Sequence, residues 1–229
     1  MQTSYSRSLY GLVLAIALAY AVFTVFPGID IKVSSWFFDE AVPGWPNGDA
    51  WYGTYRAIFN AVSISLAVLS LVMWIISFWR GPILEIPAQV WGFVPLLYVT
   101  GPGLLVNVLL KNNWGRARPA DVVEFGGSKI FTPAFEISDQ CARNCSFVSG
   151  EGSSAAAFFI TVLVLSAYIH NRSMRYAVLA VSLFFALVTA FMRVAKGRHF
   201  LSDTLGSILF VSLVAVLLHW LLIGRKRPS

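Results

Sequence analysis

This chain has little charge. Asp, Glu, Lys and Arg make up 12% of its 229 residues, 57% are hydrophobic, and the mean hydropathy is +0.70. A soluble globular domain carries roughly 25% charged residues, so lipid is indicated as the solvent for much of the surface. Cysteine is scarcer still. Cys141 and Cys145 are the two present, and without histidines beside them they make a poor zinc site. Their spacing allows a disulfide if the segment turns back, or leaves two free thiols. Linkers, low-complexity stretches and internal repeats are missing, which predicts one domain over 1–229. There is also no basic amphipathic stripe, so a pI near 9.5 does not point to nucleic acid.

Long apolar runs are abundant. Six are long enough to cross ~30 Å of hydrocarbon at 1.5 Å per residue: Leu9–Phe26, Ala57–Trp79, Val90–Leu110, Ser154–His170, Tyr176–Val194 and Thr204–Ile223. They predict an all-α polytopic membrane protein of about six transmembrane helices. The first run is followed by Pro27, Gly28, Ile29 and Asp30 rather than by a small-residue cleavage site, and it reads as a retained helix. The aromatic and charged stretch Gly28–Tyr55 reads as an interfacial segment.

Six spans put both termini on one side. That side would hold Arg7, Arg80, Arg172, Arg175, Arg225, Lys226 and Arg227 against Glu85 alone, a net +6, leaving the other side neutral. The compact terminal cluster favours a cytoplasmic placement of the termini. The other face then looks outward, where both cysteines would meet an oxidising compartment.

On that outer face three polar clusters stand at the ends of spans. Lys111, Arg118 and Pro119 open the longest connection, Ser149, Gly150 and Glu151 close it, and Arg193, His199 and Asp203 lie between the last two spans. Ionisable groups beside membrane segments are costly and tend to be paired or functional. Lys111, Arg118 and Arg193 have no matching acids in their motifs and suit the oxygens of a phosphate dianion. His199 and Asp203, four apart, share a helical face, so the carboxylate could orient the imidazole as a nucleophile. Ser149 and Gly150 precede a helix, whose N-terminus favours an anion.

These clusters resemble the signature of the type 2 phosphatidic acid phosphatase superfamily, K-x6-R-P, P-S-G-H and S-R-x5-H-x3-D. The first is matched in full. The third keeps Arg193, His199 and Asp203 with Met192 for the leading Ser, and the second keeps Ser149 and Gly150 with Val148 for Pro and Glu151 for His. The resemblance implies a six-helix fold and a mechanism without metal or other cofactor. In it His199 attacks phosphorus and Asp203 orients it. Lys111, Arg118, Ser149, Gly150 and Arg193 hold the phosphate, and Glu151 takes the place of the residue that protonates the leaving oxygen.

The Phe147-to-Glu151 variant is similar to that of bacterial lipid A phosphatases, which implies a lipid A phosphate as substrate and the inner membrane as location. Undecaprenyl pyrophosphate, phosphatidylglycerophosphate and phosphatidic acid are the alternative substrates, and no obligate protein partner is implied. A transporter of an anionic lipid or phosphate could use the same cations. It predicts broken helices or internal repeats, and the sequence shows no such features.

Overall fold

The computed structural model describes residues 2–39, 44–45 and 50–224, and the regular elements within them are helices. The basic cluster Arg225 to Arg227 and part of the interfacial segment lie outside the described residues. Five helices are long and apolar enough to cross a membrane: Tyr5–Val25, Ala50–Arg80, Ala88–Asn113, Arg172–Ala195 and Leu201–Gly224. We call α1 Gln2–Val25, α2 Gly28–Ser35 and α3 Ala50–Arg80. The third long helix is α4 Ala88–Tyr98, then a π-helical stretch Val99–Leu110 around Pro102, then α5 Lys111–Asn113. α6 is Gly150–Ser166, α7 Arg172–Ala195 and α8 Leu201–His219.

α6 is apolar but has only 17 residues, about 25 Å of helix. Its start differs from the sequence expectation of Ser154 because Ser149 caps it, the hydroxyl oxygen accepting from the Gly152 amide at 3.1 Å. The small residues Gly152, Ser153, Ala155, Ala156 and Ala157 are its buried face. A Cβ on Gly152 would stand 2.5 Å from Ser207 Oγ of α8, so a larger residue there would force that hydroxyl aside. Phe93, Val94, Leu97, Val106, Phe147, Val148, Ala157 and Val211 form the main core. The outward side chains of α1 and α3, Leu14, Leu18, Ile64, Val68 and Phe78 among them, stay exposed, as lipid-facing residues must.

The connection from α5 to α6 is ordered by one buried guanidinium. Arg116 is fully buried and donates from Nε to the Thr132 carbonyl (2.8 Å). From Nη1 it donates to Ser202 Oγ (2.9 Å) and Asp203 Oδ1 (2.5 Å), and from Nη2 to Asp30 Oδ2 (2.9 Å). Its plane lies over the Phe200 ring at 4.3 Å. Asp30 also accepts from the Ser202 amide at 2.9 Å. α2, expected as an interfacial segment, is thus bolted to the start of α8 through a carboxylate that is 1% exposed. Gly115, with φ +70°, lets the chain turn into this site, since a Cβ there would meet the Ser138 carbonyl oxygen at 1.6 Å.

Removing Arg116 leaves two buried carboxylates without their counter-ion, a loss of about 3–5 kcal/mol. Arg116→Met is expected to lower the thermal midpoint of the detergent-solubilised protein sharply. Arg116→Lys is expected to recover only part of it, because one ammonium cannot span four acceptors in a fixed fork. An unchanged midpoint in both variants would remove Arg116 from its structural role.

Candidate active site

His199 lies in the short turn between α7 and α8 and is 1% exposed. Gly197, with φ +63°, makes that turn tight, and the His199 amide donates back to the Arg193 carbonyl at 3.1 Å. Nδ1 of His199 is 2.8 Å from the carbonyl oxygen of Ser146. A carbonyl can only accept, so Nδ1 carries the proton and Nε2 is the unprotonated nitrogen.

The expected His199–Asp203 hydrogen bond is not formed: Nδ1 and Oδ2 are 3.9 Å apart. Asp203 is instead consumed by Arg116, by the Ser146 hydroxyl (2.5 Å) and by the Phe200 amide (2.9 Å). The reason is local. Asp203 sits in the first turn of α8 and turns back to cap it, while Ser146 stands between the two groups. The carboxylate fixes Ser146, and Ser146 fixes the imidazole.

Burial holds the His199 imidazole well below its usual pKa of 6.5. The positive charges of Arg193, Lys111 and Arg118 push it the same way, and the Ser146 carbonyl opposes them only in part. The ring is therefore neutral at physiological pH.

His199 lines a polar cavity of about 370 Å³ together with Lys111, Arg118, Gly150, Glu151 and Arg193. Six of the eight sequence-predicted site residues thus meet in one chamber. Asp203 lies behind it, and Ser149 is not among its lining residues, being fully buried with its hydroxyl oxygen accepting from the Gly152 amide to cap α6. Gly150 touches the cavity because it lacks a side chain, a Cβ there coming within 3.2 Å of Lys111 Nζ.

Lys111 Nζ donates to Asn144 Oδ1 (3.0 Å), and Arg118 Nη2 donates to the Asn144 carbonyl (2.7 Å). Glu151 is held between two guanidinium groups. Arg56 donates from Nε at 2.9 Å and pairs through Nη2 as well, and Arg193 Nε approaches the other carboxylate oxygen at 3.4 Å. Sequence reasoning missed Arg56, Asn60, Asn107, Asn144, Ser154 and Arg198, which complete the lining. Arg56 stands at the edge of an apolar run, where a lone cation reads as an interfacial anchor, and Asn144 carries no charge to mark it. Cys141 and Cys145 are joined in a disulfide with Cα atoms 5.6 Å apart, closing a loop around Asn144.

Residues 92–227 match the PAP2 superfamily. The chain is 30% identical over 218 residues to a lipid A 4'-phosphatase of Francisella tularensis subsp. novicida, covering 91% of this chain and 92% of that one. It is 35% identical over 198 residues to a lipid A 4'-phosphatase of Rhizobium leguminosarum, covering 80% and 82%. Among solved structures, the transmembrane PAP2-type phosphatidylglycerolphosphate phosphatase of Bacillus subtilis superposes with a TM-score of 0.61 at 19% identity, over 97% of this chain and 99% of that one. With His199 among its cations in one chamber, and with relatives matched over most of their length, the chain belongs to the PAP2 superfamily.

Proposed function

We propose that this membrane phosphatase removes a phosphate from lipid A, the 4'-phosphate by the names its relatives carry, through a phosphohistidine on His199. The observation that carries the reading is the neutral imidazole sharing one cavity with Lys111, Arg118 and Arg193. Nε2 attacks phosphorus, and the phosphorus–oxygen bond to the sugar breaks as the nitrogen–phosphorus bond forms. Water then cleaves that bond, releasing inorganic phosphate and restoring the imidazole. The three cations hold the non-bridging oxygens throughout, in a reaction whose catalysis is mostly positioning and charge stabilisation.

Glu151 occupies the place of the family's general acid, yet both its oxygens face guanidinium groups. Its role in this reading is to hold Arg56 and Arg193 against the phosphate, with the proton for the leaving oxygen coming from solvent in the open chamber. An acyl tail also has a place. Phe158 lies seven residues along α6 from Glu151, about 10 Å. There a wholly apolar cavity of about 380 Å³ is lined by Tyr55, Ile58, Phe59, Val62, Phe158 and Phe185.

The reading places the termini in the cytoplasm and the chamber in the periplasm of a bacterial inner membrane. Supporting it, the disulfide stands at the chamber end of the helices, and Arg80, Arg172 and Arg175 stand at the opposite ends of α3 and α7. A C-terminal reporter that fluoresces only in the cytoplasm is expected to light up. A dark fusion with an active periplasmic reporter at the same position would invert the topology.

Purified protein is expected to release phosphate from lipid A faster than from phosphatidylglycerophosphate, phosphatidic acid or undecaprenyl pyrophosphate. His199→Ala is expected to lose about 10³-fold or more in kcat, as when an enzyme loses its nucleophile. A preference for another lipid in the panel would reassign the substrate, and retained turnover in His199→Ala would remove the nucleophile.

The acid limb of kcat/KM should also lie below pH 6.5, because protonation, which inactivates the nucleophile, sets in only below the depressed His199 value. Glu151→Gln is expected to keep that limb while raising KM. Loss of kcat with an altered profile would instead make Glu151 the proton donor.

A further inference from the structure

We propose that the loop closed by Cys141 and Cys145 is a redox-sensitive clamp that sets two of the phosphate-binding cations of the chamber, Lys111 and Arg118, with Asn144 as its positioning residue. The proposal rests on the phosphatase reading above and names what prepares that site.

Three observations carry it. Asn144 offers its two oxygens to two different cations, the side-chain oxygen to Lys111 Nζ at 3.0 Å and the main-chain oxygen to Arg118 Nη2 at 2.7 Å. It does so from a left-handed backbone conformation, φ 53°, which points its carbonyl and side chain toward the chamber it lines. That conformation is sparsely populated by residues other than glycine, asparagine and aspartate, and persists where the surroundings over-determine it.

The disulfide is part of those surroundings, spanning Asn144 with Cα atoms 5.6 Å apart. On one side the loop is anchored by the Cys145 amide, which donates to the Lys111 carbonyl at 3.0 Å. The next residue follows suit, the Ser146 amide donating to the Arg116 carbonyl at 2.9 Å. The same short stretch therefore holds Lys111 by its backbone and its ammonium, then passes to the residue whose carbonyl orients His199.

The physical consequence is preorganisation. A lysine and an arginine side chain each lose much of their rotamer freedom when fixed. If Asn144 fixes them beforehand, that cost does not fall on substrate binding. Each cation still has donors left for phosphate, an ammonium having three and a guanidinium five. Opening the disulfide releases the loop, and with it both contacts, by reduction of the sulfur–sulfur bond to two thiols at the expense of an added dithiol reductant.

The test uses the intact protein in detergent, with inorganic phosphate as a competitive inhibitor and lipid A as substrate. Asn144→Gly keeps the left-handed backbone and the carbonyl but removes the contact to Lys111. It is expected to raise the phosphate inhibition constant and KM by about three- to ten-fold, the size of one charge-assisted hydrogen bond, with a smaller fall in kcat. Reductant is expected to produce a larger rise in the wild type once thiol labelling shows the bridge open, and to do nothing to Cys141→Ser/Cys145→Ser, which should already behave as the reduced wild type.

Unaltered inhibition and KM after opening of the bridge would overturn the clamp, and so would an Asn144→Gly protein that matches the wild type. Absence of any His199-dependent phosphate release would sink the phosphatase reading instead, a result distinct from either. A thermal midpoint measured on each sample separates a loosened clamp from a loosened fold.

Discussion

Two carboxylates and one guanidinium, all buried, hold the chamber end of this bundle together. Asp30 comes from α2, Arg116 from the connection that follows α5, and Asp203 from the start of α8. Burying such a group costs several kcal/mol per ion, offset only when geometry and additional hydrogen bonds are complete. Here they are: Arg116 has four acceptors, and Asp203 is further satisfied by a hydroxyl and an amide. The arrangement fixes Ser146, whose carbonyl selects the tautomer of His199. The tautomer of the imidazole thus descends from an ion cluster buried behind the chamber, as the outer partners of a metal site fix the orientation of its ligands.

In front of that cluster the balance of charge is reversed. Arg56, Lys111, Arg118, Arg193 and Arg198 share a chamber in which Glu151 is the one acid among the lining residues. Cations crowded at low dielectric repel one another, which disfavours any further positive charge and keeps the imidazole neutral. A phosphate dianion relieves the repulsion. The same field therefore suits a phosphate and keeps the imidazole deprotonated, two tasks that a neutral pocket could not combine.

Hydropathy alone makes the helical membrane fold legible, because runs such as Ala57–Trp79 have no soluble interpretation. Spacing makes Lys111, Arg118, Arg193 and His199 legible, because they gather in short polar clusters near the ends of apolar runs. Arg116 was not legible. Arg116 and Arg118 flank one alanine, and nothing local says which turns inward; the answer depends on Asp30, 86 residues away. Asp203 was misread for a related reason. An i, i+4 pair shares a face only inside one helix, and His199 lies in the turn before α8, where φ, ψ angles are not helical. Ser149 stands at a helix start as expected, but its hydroxyl oxygen accepts from the Gly152 amide and its side chain is buried outside the chamber lining.

The length of α6 ties the fold to the kind of substrate it can serve. At 17 residues the helix is about 25 Å long, short of the ~30 Å hydrocarbon layer. Its polar start, with Gly150 and Glu151 in the chamber, therefore lies below the level reached by a longer neighbour such as α3, whose 31 residues extend past it. The polar and apolar cavities follow one another along α3 and α6, Arg56 and Glu151 lining the first, Phe59 and Phe158 the second. An amphiphile with phosphate at one end and hydrocarbon at the other matches that order without distortion, and a water-soluble phosphate ester would leave the second cavity unused.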